Sequence, residues 1–267
     1  MACNAGPYMI KQSNAVSRSR TSISATSSLL SSLSSRSLLS AGSATDSQSP
    51  PCTRPQHVIP MDPSDPQAGI TLNGFYLTND TWNAAGYNIS QTMSVCDYNN
   101  WYVTATIDTG TAVKSYPNVH RDFPHRPLIS SFKKIVSSFA QSGPHAGIYE
   151  YAYDIWLNGI ASSGSTEVMI WTDNFGQTPS GSKQGVFTDG DQTYTVWKTS
   201  GNYIAFVANK NVTSGMINML HFYDYLIAKG WIPSNSTIGQ IGYGIELVST
   251  DNVPAVFKVT DFSLVVD

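Results

Sequence analysis

The chain has 267 residues, enough for one sizeable domain or two small ones with a real core. Charged residues make up only 12% and the net charge is −3, so there is no basic footprint for nucleic acid, and no apolar run approaches the ~18 residues of a membrane helix. Fourteen Tyr, six Trp and many Thr, Ser, Asn and Gly stand in place of charge, a composition that suits β-rich extracellular proteins handling neutral polymers.

The N-terminal part differs from the rest. Residues 21–45 hold eleven serines, no acid precedes Asp46, and Lys11, Arg18, Arg20 and Arg36 are basic. Such a segment cannot bury enough apolar surface to offset its ordering entropy. Residues 1–66 are therefore expected to lack order, with one folded domain over 67–267. The run SLLSSLSSRSLLSAGSA reads as a degenerate signal peptide ending near Ala44, as an organellar transit peptide, or as sequence upstream of the true start codon. Of the three cysteines, Cys3 falls in this tail; the count leaves Cys52 and Cys96 open as one disulfide or two thiols. Asn79, Asn88, Asn211 and Asn235 each head an Asn-X-Ser/Thr pattern, which recurs by chance in so Asn- and Thr-rich a chain.

From Ile70 onward the chain is short β-runs broken by turn residues. In order they are GFYLTND, NWYVTATID, IYEYAYDIWLN, STEVMIWTDNFG, TYTVWK, YIAFVA, IGQIGYGIELVS and AVFKVTDFSLVV. Asn73-Gly74, Asp189-Gly190, Ser200-Gly201-Asn202 and Asp251-Asn252 supply turns between them. This spacing predicts an all-β fold, a two-sheet antiparallel β-sandwich of jelly-roll type. One stretch has a helical period: Ile217, Leu220, Tyr223 and Ile227 predict a single packed helix over residues 214–229, capped by Thr213 or Ser214 and stopped by Gly230.

Several chemistries find no support in the residues. The five histidines (His57, His120, His125, His145, His221) show no zinc spacing, GSKQG is not a nucleophile elbow, and GQIGYG is not a dinucleotide fingerprint. Neither a metal nor a cofactor is expected. Acids inside strands are the better lead, because side chains alternate faces with period two. Glu167 shares a face with Met169 and Trp171, Asp154 with Ala152 and Trp156, and Glu246 with Gly242, Gly244 and Val248. Opposite Glu246 lies an evident core face of Ile241, Tyr243, Ile245 and Leu247, and the two glycines before it suggest room for a ligand. Each acid alone is more simply a solvent-facing residue. Together they meet the requirement of glycoside hydrolysis, in which one carboxyl stays protonated to donate to the leaving oxygen and another, ionised, attacks or activates water.

The stretch YDIWLN…STEVMIWTDNFGQTPSGSKQG resembles the centre of glycoside hydrolase family 12, the small jelly-roll endoglucanases. That family carries a Tyr-Asp pair on one strand, then a Glu-X-Met-Ile-Trp strand, then a Pro-Ile-Gly-Ser-like loop, here Pro179-Ser180-Gly181-Ser182. GFYLTNDTWN, VKSYPNV and DFSLVVD resemble further family segments, and the whole likeness covers residues 70–267. It implies Glu167 as nucleophile, Glu246 as acid/base and Asp154 as the carboxyl that assists the nucleophile. Retention of configuration follows, with a carboxyl separation of ~5–5.5 Å.

The implied activity is that of a secreted, monomeric endo-β-1,4-glucanase acting on cellulose-like chains, mixed-linkage glucan or xyloglucan. Trp82, Trp101 and Trp171 would stack on sugar faces, with Met169 and Pro179 also in the cleft. A Cys52–Cys96 bond, leaving Cys3 unpaired, is expected on the same ground. Two departures stand out: the acid strand reads Gly244-Ile245-Glu246-Leu247-Val248 where the family often has Gly-Thr-Glu-Pro-Phe, and HRDFPHRP matches no family segment. The rival reading is a non-catalytic glycan-binding jelly roll, which would keep an aromatic groove without matched acids.

Overall fold

The computed structural model describes residues 51–267. The serine-rich run and Cys3 lie outside the described residues.

The strands are β1 (His57–Pro60), β2 (Gly69–Leu72), β3 (Phe75–Thr78), β4 (Ile89–Asp97), β5 (Asn100–Ile107), β6 (Asn118–Asp122), β7 (Ile135–Ser142), β8 (Ile148–Leu157), β9 (Thr166–Phe175), β10 (Ser182–Asp189), β11 (Gln192–Lys198), β12 (Tyr203–Ala208), β13 (Ser214–Asn218), β14 (Ile238–Ser249) and β15 (Ala255–Val266). Among the described residues one α-helix, α1 (Met219–Ala228), and a short 3-10 turn, Ile129–Ser131, interrupt them. A six-stranded sheet has the order β1-β4-β5-β15-β7-β13, and a nine-stranded sheet the order β10-β11-β12-β9-β8-β14-β6-β3-β2. The two pack as the sandwich expected of a jelly roll. All the ladders are antiparallel except β12 on β9, which is parallel.

Alternation sorts each strand into an inner and an outer face. On β14 the inner set, Ile241, Tyr243, Ile245 and Leu247, has almost no exposed surface. Tyr243 meets Phe139 of β7 and Phe262 of β15 across the sandwich, with ring centroids 5.4 Å and 6.3 Å apart. Burying such aromatic and branched side chains, at ~1.5–3 kcal/mol each, holds the sheets together. Trp101 belongs to this core, which corrects its expected stacking role. Its strand does put Trp101, Val103 and Ala105 on one face, but that face points inward and Trp101 is 0% exposed.

Two boundaries also move. Strand β1 lies inside the segment expected to lack order and pairs with Thr92–Val95 of β4. The Cys52–Cys96 disulfide anchors the same segment, with Cα atoms 5.6 Å apart. The helix begins later than its sequence period suggests, because Ser214–Asn218 pairs with β7 as strand β13. Asn218, rather than Thr213 or Ser214, caps it by accepting from the Leu220 amide at 3.3 Å. The buried face is Met219, Phe222, Tyr223 and Leu226, and Phe222 packs on Phe187, Tyr194 and Phe206 beneath the β10–β12 end of the larger sheet. Gly230, with φ of 67°, follows the last turn as expected.

Candidate active site

The outer face of the nine-stranded sheet carries all three acids singled out by the sequence. β8 presents Glu150, Ala152, Asp154 and Trp156 there, β9 presents Glu167, Met169 and Trp171, and β14 presents Gln240, Gly242, Gly244 and Glu246. Register decides which of these meet. Asp154 lies opposite Met169 on one side and Gly242 on the other, so Glu167 is its diagonal neighbour. Glu167 itself faces Trp156 on β8 and Tyr203 on β12. Glu246 faces Glu150. The ladder thus brings Asp154 beside Glu167, and sets Glu246 two strands from Glu167 in a different row.

Tyr203, the residue that faces Glu167, reaches the same depression as Glu246. Glu246, Trp171, Tyr203, Val113 and the Gln177–Ser180 loop, which includes Pro179, line one small open depression. Met169, Trp171, Ala152, Tyr203 and Ala205 form a small apolar cluster under it, separate from the sandwich core. The Tyr203 hydroxyl lies 3.4 Å from the Met169 sulfur. The indole Nε1 of Trp171 is buried and, among the described residues, has no hydrogen-bond partner. Trp82 is half-buried on the segment after β3, and its neighbour Asn83 donates to the Val113 carbonyl at 2.6 Å, pinning that segment to the depression.

The Lys-Ser-Tyr-Pro stretch runs alongside β14. Leu247 N–H donates to Ser115 O at 3.0 Å and Ile245 N–H to Pro117 O at 3.1 Å, which sets Tyr116 opposite Glu246. The Tyr116 hydroxyl donates to the Ala152 carbonyl at 2.9 Å, so the phenol lies over the outer face. Tyr116 N–H in turn donates to Asp80 O at 2.9 Å. One transverse row therefore reads Asp80, Tyr116, Glu246, Glu150.

Burial pushes the Tyr116 phenol well up, and the charges of Asp154 and Glu246 push it further. The Asp80 carboxyl is pushed up to about 7 by burial, against a hydrogen bond from Gln67 and with the Glu246 charge adding to the rise. Lys114, fully buried, donates to Val248 O at 2.6 Å and pairs with Asp108 at 3.5 Å.

The glycines before Glu246 have a different reason from the one their pattern suggests. A Cβ on Gly244 would strike the Pro117 carbonyl oxygen and stand 2.9 Å from Asn118 Cα, and one on Gly242 would stand 3.2 Å from His120 Cβ. The neighbouring β6 strand, not a ligand, occupies that space.

Glu150, Asp80, Tyr116 and Tyr203 were not legible as site residues. Glu150 has the same parity as Asp154, so its outward aim was readable; its pairing with Glu246 was not. Among the described residues, no group of three or more His, Cys, Asp or Glu is arranged to hold a metal ion.

The family model described as Glycosyl hydrolase family 12 matches residues 73–267. The chain belongs to glycosyl hydrolase family 12. It is therefore a glycoside hydrolase by family, and the resemblance of the Glu167 strand is borne out at that level. Among curated relatives, Endoglucanase S of Pectobacterium parmentieri is 27% identical over 210 residues, covering 67% of this chain and 78% of the relative. Inactive glycoside hydrolase XLP1 of Phytophthora nicotianae is 28% identical over 167 residues, covering 59% and 69%. Two solved structures superpose well. The xyloglucanase domain of NopAA from Sinorhizobium fredii, in complex with cellobiose, has a TM-score of 0.68 at 23% identity and covers 80% of this chain and 100% of its own. The xyloglucanase of Bacillus licheniformis has a TM-score of 0.68 at 20% identity and covers 79% and 99%. These likenesses establish the jelly-roll fold.

Proposed function

We propose that this protein is a retaining endo-β-1,4-glucanase that hydrolyses cellulose-like chains, mixed-linkage glucan or xyloglucan. The observation that carries this reading is the placement of Asp154, Glu167 and Glu246 on one face of a family 12 sheet, with Glu246 at an aromatic depression. Glu246, as the acid, donates its proton to the glycosidic oxygen while Glu167 attacks the anomeric carbon. The leaving chain departs and a glycosyl ester on Glu167 remains. Glu246, now a carboxylate, takes a proton from water, whose oxygen attacks the same carbon and frees Glu167. Two inversions give net retention. Asp154, diagonal to Glu167, holds a proton and donates it as a hydrogen bond, which keeps the nucleophile ionised and aimed. Trp171, Pro179 and Trp82 contact the sugar, while Met169, expected in the cleft, is 0% exposed and packs beneath them. The disulfide supports a secreted protein, since such bonds persist in oxidising compartments. We read the working form as a monomer.

The Phytophthora relative, inactive by name, favours a second reading, a glycan-binding jelly roll without turnover. A reducing-sugar assay on soluble β-glucan separates the two: release of reducing ends supports the enzyme, and binding without release supports the module. Proton NMR of the first product anomer then tests retention, and initial formation of the α-anomer would overturn double displacement.

A further inference from the structure

The strand ladders carry the outer face beyond the acids, toward the β10 edge of the larger sheet. Asp154 faces Met169, Met169 faces Ala205 of β12, Ala205 faces Trp197 of β11, and Trp197 faces Lys183 of β10. Directly opposed residues share a face, so these side chains rise from the same face as Glu167 and Glu246. The alternate positions of β11, Tyr194 and Val196, belong to the sandwich core. Trp197, half-buried, packs instead against the separate cluster that holds Met169, Trp171 and Tyr203. Trp171 and Tyr203 also line the depression beside Glu246. One apolar surface therefore leads from the depression to Trp197.

A lysine lies over that indole. Lys183 Nζ is 5.4 Å from the ring centroid, and Lys183 itself is exposed. A cation over a ring at an exposed site is worth only ~0.5–1 kcal/mol, and the lysine stem is flexible. The ammonium can therefore be moved aside at little cost, while the cluster beneath keeps the ring in place.

We propose that Trp197 is a sugar-stacking subsite toward the β10 edge, on the Glu167 side of the acids, which takes a further glucosyl unit of a β-glucan chain when Lys183 swings off its ring. The proposal rests on the reading of this face as a β-glucan site. In a β-1,4-linked glucan the ring substituents are equatorial, so each sugar presents flat C–H faces that leave water favourably when laid on an indole. The spacing fits. β11 lies two strands from β9, the strand of Glu167, which sets Trp197 ~10 Å across the sheet from the nucleophile's strand. That is roughly the length of a disaccharide, so a chain that reaches Trp197 extends past the sugars at the cleaved bond.

The test uses cellohexaose. In Trp197→Leu, which keeps an apolar side chain against the cluster, KM should rise about tenfold or more with kcat within about twofold, the mark of binding lost equally from ground state and transition state. Trp197→Tyr, which keeps a flat ring, should recover most of the loss, and Lys183→Ala should move KM by less than about twofold. An unchanged KM in Trp197→Leu, or a fall in kcat alone, overturns the subsite. So does a Lys183→Ala loss as large as that of Trp197→Leu, which would make the charge and not the ring the binding group. A second readout needs no turnover. In 15N-labelled Glu167→Gln, the Trp197 indole N–H signal, assigned by its loss when Trp197→Tyr is added, should shift on saturation with cellohexaose. A signal that stays put overturns the subsite even if Trp197→Leu fails to fold, and if the wild type still cleaves β-glucan it sinks the subsite alone. A wild type that releases no reducing ends while this signal shifts sinks the hydrolase reading and leaves the subsite standing.

Discussion

Asp80→Asn should stabilise the protein at neutral pH and leave it nearly unchanged in acid. Asp80 is pushed up from 3.8 to about 7 in the folded state, chiefly by burial. A carboxyl raised in this way favours its protonated form when folded. Its contribution is therefore fully present below the unfolded value, and it is lost as pH rises through the folded one. The gap is roughly three pH units, and at about 1.4 kcal/mol per unit the wild type gives up about 4 kcal/mol between pH 4 and pH 8 through this one group. Asparagine keeps the shape and one acceptor for Gln67, carries no charge, and tolerates the positive φ of 33° found at this position. Urea unfolding of both proteins at pH 4, 6 and 8 measures the effect. The variant should gain on the wild type as pH rises, by up to about 4 kcal/mol at pH 8. A difference between the two that stays constant within about 0.5 kcal/mol across that range would refute the reasoning, since a group with equal proton affinity in both states gives no slope.

Glu167→Gln should lower turnover of β-glucan at least about 10³-fold while circular dichroism and melting stay unchanged, and Glu246→Ala should lose most activity on polymer yet keep far more on aryl glycosides whose leaving group needs no proton. Wild-type rates in both variants would dismiss the site. Asp154→Asn keeps a donor for Glu167, so it should cost less than Glu167→Gln and shift the acidic limb of the pH–rate profile; an equally dead variant contradicts that role. Replacing Cys52 and Cys96 by serine removes a cross-link between residues 44 positions apart, a loss of about 4 kcal/mol by loop-closure entropy, read by calorimetry as a fall in Tm of roughly 10 °C. An unchanged Tm would show that pairing of β1 with β4 already does the tethering. Gly244→Ala drives a methyl into the Pro117 carbonyl and should cost about 1–3 kcal/mol, with a neutral melting curve as the contrary result.

Alternation of side chains made much of this protein legible in advance. It sorted Ile241, Tyr243, Ile245 and Leu247 from Gly242, Gly244 and Glu246, and it put Glu167 with Met169 and Trp171, because a strand's two faces are fixed by its own backbone. The family resemblance added roles to three acids that periodicity only singled out. Periodicity does not say which face a sheet partner will cover, so Trp101 in an equally good strand belonged to the core. Nor does it carry register. Ser214–Asn218 became a strand because β7 offered an edge to pair with, and the helix period was read through it. Gly244 is required by the chain that runs beside it, not by an approaching ligand. Glu150 and Glu246 are separated by 96 positions in sequence and become direct neighbours only when β14 settles against β8. That neighbourhood is a property of the strand pairing, and no local stretch of the sequence contains it.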